Sequence, residues 1–174
     1  MFLTPSVYVI VVALFAGLIL YAAFTDVRSL TIPNRVSASI ALLFPAAVLS
    51  APVPIDWLTA LGLGAATLSV GFILFAQGWL GGGDAKLIAA IMLWAGPNQG
   101  AEFILITTAA GGILAVILWL RSRLHPATAT SANGESVAEI APSKRPIPYA
   151  VAIACGGLYV AFTLIGVGLP RLPL

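Results

Sequence analysis

Charged side chains are scarce in this chain. Its 174 residues include only eight Lys or Arg and six Asp or Glu, or 8% of the total, and 60% of the residues are apolar. A soluble domain carries about 25% charged residues, so the composition excludes a soluble globular protein. A single cysteine, Cys155, excludes an internal disulfide and a zinc site built from several cysteines. The basic residues are scattered singly, which argues against a nucleic-acid partner.

Long apolar runs make up most of the sequence. Those of roughly 17–22 residues are long enough to cross a hydrocarbon core of about 30 Å, and no barrel-like alternation is visible. The pattern predicts an all-α polytopic membrane protein, a bundle of six transmembrane helices in one domain over residues 1–174. The predicted helices are 7–25, 36–49, 57–77, 84–95, 101–120 and 149–168.

A segment rich in Ala, Ser, Thr and Pro separates the last two predicted helices. This composition is typical of chains that do not form a packed core. Residues 121–146 are therefore predicted to form a flexible cytoplasmic loop. The only histidine, His125, lies in it and is interpreted as a solvated loop residue rather than a base or a ligand.

The positions of the lysines and arginines predict the orientation. Cytoplasmic loops of membrane proteins carry an excess of these residues. The basic residues concentrate on one alternate set of predicted loops: Arg28, Arg35, Lys86, Arg121, Arg123, Lys144 and Arg145. That set is predicted to be cytoplasmic, with both termini outside. Asp26 and Asp84 then lie on the same cytoplasmic face.

Two of the acidic residues near helix ends have an ordinary structural interpretation. Asp56 directly precedes the predicted helix 57–77, where a carboxylate accepts hydrogen bonds from free N–H groups. Glu102 lies in the first turn of the predicted helix 101–120, where the helix dipole favours an anion. Both are predicted to stabilise helix N-termini.

Asp26 and Asp84 are less easily explained. Asp84 is compatible with either an N-cap or a chemical role, and its predicted helix, about 20 Å long, is shorter than the membrane core, so Asp84 is expected to be partly buried. Asp26 follows an apolar helix, where the dipole disfavours an anion. A local ion pair with Arg28 is the structural alternative to a function. Ionisable residues in membrane segments are functional hypotheses by default.

The residues around these acids have their own predicted roles. The three glycines before Asp84 lack the Gly-Lys-Ser/Thr ending of a phosphate-binding loop. They are instead expected to let a backbone or a substrate approach Asp84 closely. Pro33 is predicted to end any helical extension of the first loop, and Asn34 to cap the second helix.

Two motifs in this chain resemble the signature motifs of type IV prepilin peptidases, which are GxGD aspartyl membrane proteases. The first is Asp26 followed by Ile32-Pro33-Asn34, and the second, GxGDxKL, is matched by Gly81, Gly83, Asp84, Lys86 and Leu87. The segment that begins at Pro148-Tyr149 also resembles part of this family.

The resemblance implies that Asp26 and Asp84 are catalytic. Five other residues are expected to shape the site or bind substrate: Gly81, Gly83, Lys86, Pro33 and Asn34. Lys86 is alternatively a lysine that snorkels to the membrane interface. The resemblance also implies that the substrate is a prepilin or pseudopilin cut at the cytoplasmic face, with no metal and no cofactor, and that the chain lies in the inner membrane of a bacterium. The role of each aspartate stays open, because a coupled pair titrates as a unit.

Larger relatives in this family carry an N-terminal segment with paired cysteines and also methylate the new N-terminus. The chain begins at its first predicted helix and has no paired cysteines, so it resembles the short, peptidase-only form of tight-adherence (Flp) pilus systems, and methylation is not expected. Two other functions are alternatives. One is a small ion-coupled transporter that uses the aspartates as proton carriers. The other is a non-catalytic assembly subunit.

Overall fold

The computed structural model describes residues 5–124 and 149–168, and in these ranges all regular structure is helical. It contains α1 (Pro5–Ser29), α2 (Asn34–Ser50), α3 (Trp57–Ala76), α4 (Gly82–Leu124) and α5 (Tyr149–Gly168). Four of them, α1, α3, α4 and α5, are long and apolar enough to cross a membrane. The remaining helix, α2, is apolar but only 17 residues long. The all-α fold class is therefore confirmed.

Helix α4 consists of two segments that meet at Gly96. This glycine has φ 55° and ψ −160°, which lies outside the helical region. We call residues 82–95 α4N and residues 97–124 α4C. The predicted loop at 96–100 is therefore wrong in extent, since only Gly96 leaves the helical conformation and Pro97 already belongs to α4C. Proline is tolerated in a first helical turn because its missing N–H has no partner there.

The chain reverses direction at Gly96, as the contacts of α4N and α4C with other helices indicate. Against α4N, α1 runs antiparallel, because Phe15 stacks on Trp94 while Asp26 interacts with Asp84. Against α5, α1 also runs antiparallel, because the start of α5 contacts Asp26 and its last residue, Gly168, lies against Tyr8. Helices α4N and α5 are therefore parallel. In contrast, α4C runs antiparallel to α5, since Gln99 pairs with Thr163 and Phe103 packs on Gly156.

The directions of α2 and α3 follow from their contacts with α4N. Helix α2 runs parallel to α4N, since Lys86 bonds to Asn34 and Trp94 to Ile40. Helix α3 runs antiparallel to α4N, since Gly64 lies against Leu93 and Gly71 against Ala85. The six helical segments of the described chain therefore alternate in direction.

The predicted helix positions agree with these segments, and the errors lie at the ends. The first predicted helix stops at residue 25, whereas α1 continues to Ser29. Residues 121–124 of the predicted loop belong to α4. The rest of that loop and His125 lie outside the described residues. The number of membrane crossings, the side of the termini and the single domain stay predictions.

Small residues allow the helices to approach closely. A Cβ added to Gly71 of α3 would lie 3.0 Å from the Cβ of Ala85, and one added to Gly157 of α5 would lie 2.9 Å from Ile19. Close approach of this kind is the usual basis of helix packing in membranes, where lipid is as apolar as the side chains. It brings the ends of α1, α4N and α5 together at one end of the bundle.

Candidate active site

Asp26 lies in the last turn of α1 and is buried, with 6% of its surface exposed. The helix continues for three more residues and ends at Ser29. The next residue, Leu30, has φ 52°, and its N–H donates to the Asp26 carbonyl oxygen at 2.8 Å. A left-handed conformation is costly for leucine and is commonly found at strained functional sites. The predicted helix end at residue 25 is therefore wrong by about one turn, and Asp26 lies within the helix rather than after it.

The Asp26 carboxylate has a partner that is distant in sequence. Its Oδ2 atom accepts a hydrogen bond of 2.9 Å from the backbone N–H of Ala150, the second residue of α5. The Arg28 guanidinium lies over the ring of Phe24 instead, 4.4 Å from its centroid. Among the described side chains there is no ion pair between Asp26 and Arg28, so that alternative is wrong.

Asp84 is the third residue of α4N and is half-buried. The helix begins at Gly82, and the Ala85 N–H donates to the Gly81 carbonyl at 3.0 Å. Asp84 is therefore not the N-cap but lies in the first turn, where the helix dipole also favours an anion. It interacts electrostatically with Asp26. The fold thus brings both predicted aspartates together at one end of the bundle.

The glycines of the second motif make room for the acid and for the first motif. A Cβ on Gly81 would lie 2.6 Å from Oδ2 of Asp84, too close for any side chain without displacing the carboxylate. A Cβ on Gly83 would lie 3.2 Å from Cβ of Ile32. The two glycines therefore have different roles. Gly81 leaves space for Asp84, and Gly83 lets the two motif segments pack.

A hydrogen bond also joins the two motifs. Lys86 Nζ donates to the Asn34 side-chain oxygen at 2.8 Å across the ends of α4N and α2. The predicted N-cap role of Asn34 is wrong, because α2 begins with Asn34 and the N-cap residue is Pro33, which makes no side-chain capping bond. Pro33 has ψ 131°, an extended conformation that separates α1 from α2. Lys86 is exposed, as the interfacial alternative expects, but it has a partner.

The other two acids differ from one another. Asp56 caps α3, as predicted, by accepting a bond of 3.2 Å from the Thr59 N–H. Hydrogen bonding to Thr59, first through its side chain and then through its N–H, lowers the pKa of the Asp56 carboxyl. Glu102 is exposed and lies in the second turn of α4C, because that segment begins before the predicted residue 101. The first-turn prediction for Glu102 is therefore wrong.

Ala150 is the one site residue that the sequence did not reveal. Its side chain carries no chemistry, and its contribution is a backbone N–H that 124 positions separate from Asp26. The start of α5 at Tyr149 was predicted correctly. Sequence alone gives no signal for which acid this start would face.

A model described as the type IV leader peptidase family matches residues 13–116, which is more than half of the chain and includes both aspartates. The chain belongs to the type IV leader peptidase family. Together with the four long apolar helices, this membership indicates a multi-pass membrane protein.

The chain is also similar in sequence to a known protein. The chain is 29% identical over 150 residues to the prepilin leader peptidase/N-methyltransferase of Bacillus subtilis (strain 168). The aligned region covers 83% of this chain and 52% of the relative, so the chain spans about half the length of that protein. No solved structure matches. The family match ends before α5, the helix that contacts Asp26.

Proposed function

We propose that this leader peptidase family member is an aspartic endopeptidase that removes the leader from type IV prepilin-like proteins. The proposed substrates are Flp-type prepilins or pseudopilins, and the proposed site of cleavage is the cytoplasmic face of a bacterial inner membrane. The observation that carries this proposal is the buried Asp26 carboxylate, which interacts with the half-buried Asp84 at one end of the bundle. Both acids belong to the family-matched region.

The proposed chemistry is general acid–base catalysis by the two carboxylates. Two acids that interact in a partly dry site share one proton. The ionised acid removes a proton from a water molecule as that water attacks the scissile carbonyl carbon. The protonated acid donates a hydrogen bond to the carbonyl oxygen and then a proton to the leaving amine. One water is consumed, and one carboxyl and one amino terminus are formed.

The remaining motif residues are proposed to hold the two carboxylates in their relative position. Asn34 and Lys86 connect the start of α2 to the start of α4N. Gly81 and Gly83 allow the close contacts with Asp84 and Ile32. Pro33 fixes the turn between α1 and α2. A pair of carboxylates needs this kind of support, since a misplacement of about 1 Å can lower a rate by about 100-fold.

The proposed topology has six crossings in a single domain, with both termini outside. The alternating direction of the six helical segments supports it. So does the charge distribution: within residues 5–124 and 149–168, every Lys or Arg lies near the end that carries Asp26 and Asp84. Such an excess of basic residues marks the cytoplasmic side. The opposite end carries the acids Asp56 and Glu102.

The test is cleavage of a co-expressed Flp-type prepilin by the variants D26N and D84N. Each substitution keeps the shape of the side chain but removes the charge and the exchangeable proton that the mechanism requires. We expect each to lower cleavage by at least about 1,000-fold, with protein level unchanged. The readout is the mass of the pilin, which falls by the mass of the leader when it is cut.

The matched control is D56N, because Asp56 is an acid at the opposite end of the bundle whose capping role asparagine can fill. D56N should cleave like the wild type. Full processing of the pilin by either D26N or D84N would refute the catalytic pair. Proton-dependent transport without any mass change in the pilin would support an ion-coupled transporter instead.

A further inference from the structure

The first turn of α5 is in contact with Asp26, and this contact is buried. The first four N–H groups of any α-helix lack partners within the helix. In α5 one of them, that of Ala150, donates to Oδ2 of Asp26 at 2.9 Å. Ala150 is 0% exposed and Asp26 is 6% exposed, so water competes little for this bond. A carboxylate at a helix N-terminus also gains from the helix dipole.

Packing along its length fixes the position of α5. On the α1 side, a Cβ on Gly157 would lie 2.9 Å from Ile19, and one on Gly168 would lie 2.7 Å from the ring of Tyr8. On the α4C side, a Cβ on Gly156 would lie 2.8 Å from the Phe103 carbonyl oxygen. Helices in such close contact cannot shift without losing packing at several levels. The Ala150 N–H is therefore held by the whole helix.

We infer that the first turn of α5 is a positioning element of the catalytic pair, with the Ala150 amide holding one oxygen of Asp26. No other described residue makes a hydrogen bond to this carboxylate, so Oδ1 is the oxygen left for proton transfer. The inference rests on the proposed peptidase function. It extends the site to a helix that lies outside the family-matched residues 13–116.

The test removes the N–H and keeps the helix. A150P deletes the donor in the first helical turn, where proline is best tolerated. We expect kcat for prepilin cleavage to fall at least about 10-fold, because the acid loses its orientation. KM should change by less than about 3-fold, since Ala150 is buried and substrate binding is not altered.

Two controls separate the donor from packing and from proline itself. A150G keeps the N–H but removes the buried methyl group, so its loss of kcat should be clearly smaller than that of A150P. Y149P places proline one residue earlier, at a position whose N–H does not bond to Asp26, and is compared with Y149A to account for the lost ring. Both Tyr149 variants should have similar kcat values.

A second measurement needs no activity. Asparagine at position 26 can still accept the bond, whereas alanine cannot, so D26A should unfold about 3–10 °C below D26N in detergent. In the A150P background this difference between the two variants should vanish. The hydrogen bond can thus be tested even if wild-type protein cleaves no prepilin, which would refute the proposed function separately.

The outcomes are distinct. The positioning role is supported by two results together. A150P loses kcat while the control variants do not lose it to the same extent, and D26A unfolds below D26N except in the A150P background. Wild-type kcat in A150P, while D26N is inactive, overturns it and leaves the peptidase proposal intact. An equal loss of kcat in A150G overturns it in favour of simple packing. Equal unfolding temperatures for D26A and D26N overturn the contact itself.

Discussion

Asp26 and Asp84 are held by different kinds of contact. Asp84 lies in the first turn of its own helix, with Gly81 leaving room for its carboxylate. Asp26 comes from the end of α1 and accepts a bond from the start of α5. The identity of both acids follows from the sequence, because charge is rare there and both belong to recognisable motifs. The partner of Asp26 does not, since a capping bond between distant helices depends on the packing of the whole bundle.

At the residue scale, Gly81 offers the sharpest test of the space around Asp84. In G81A the new Cβ would lie 2.6 Å from Oδ2 of Asp84, so the carboxylate must move. We expect prepilin cleavage to fall about 10- to 100-fold with little change in unfolding temperature. The measurement is kcat/KM with purified protein.

The neighbouring Gly82 serves as the control. Its Cβ would lie 3.2 Å from the ring of Phe75, which is half exposed and can move aside. G82A should therefore keep most of its activity. A G81A enzyme as active as G82A would contradict the proposed placement of the Asp84 carboxylate.

The Asn34–Lys86 hydrogen bond predicts a non-additive pair of mutations. N34A and K86A each break the same 2.8 Å bond, so each should lower kcat/KM about 3- to 10-fold. The kcat/KM of the double variant should be no lower than that of the less active single variant, because the second change removes nothing further. R35A, an exposed residue next to Asn34, is the control and should be near wild type. Losses that multiply would show that Lys86 acts independently of Asn34.

At the element scale, apolar length predicted the helices well and their ends poorly. The segment 149–168 was predicted correctly because it is apolar throughout, and α3 starts where Asp56 marks an N-terminus. The end of α1 was missed because Asp26, Val27 and Arg28 look like a loop after an apolar run, whereas the helix continues to Ser29. Polar residues at a helix end near the membrane surface give no clear stop signal, so the true end depends on tertiary contacts.

The conformation of Gly96 sets the direction of α4C, the segment that follows it. Its φ of 55° with ψ of −160° belongs to a region that only glycine enters readily. G96A should lower stability by about 1–3 kcal/mol, measured as a fall in unfolding temperature in detergent. In contrast, Gly62 lies within α3 with nothing within 4 Å of an added Cβ. G62A should be neutral or slightly stabilising, since alanine favours a helix more than glycine does. Equal changes in unfolding temperature for G96A and G62A would contradict the reversal of the chain at Gly96.

At the scale of the whole molecule, the chain places its chemistry and its positive charge at the same end. The end of the bundle that carries the two aspartates also carries the basic residues Arg28, Arg35 and Lys86, and Arg121 and Arg123 at the end of α4C. The sequence predicts this asymmetry because the rule that sets orientation depends on lysine and arginine counts alone. It cannot show how close the acids come, since that distance depends on how α1, α4N and α5 pack.

The proposed topology can be tested by the side on which single cysteines react. The free Cys155 is first replaced by alanine, and activity is checked. At the end opposite the aspartates, V53C and N98C should react with a membrane-impermeant maleimide in intact spheroplasts, because both positions are exposed. At the basic end, R35C and W79C should react only after permeabilisation; Trp79 is 76% exposed in the connection before Gly81.

The reverse pattern of labelling would mean that the basic end faces out. An unreactive N98C would mean that the turn at Gly96 does not reach the outer surface, which would contradict the proposal that α4N and α4C are two separate crossings.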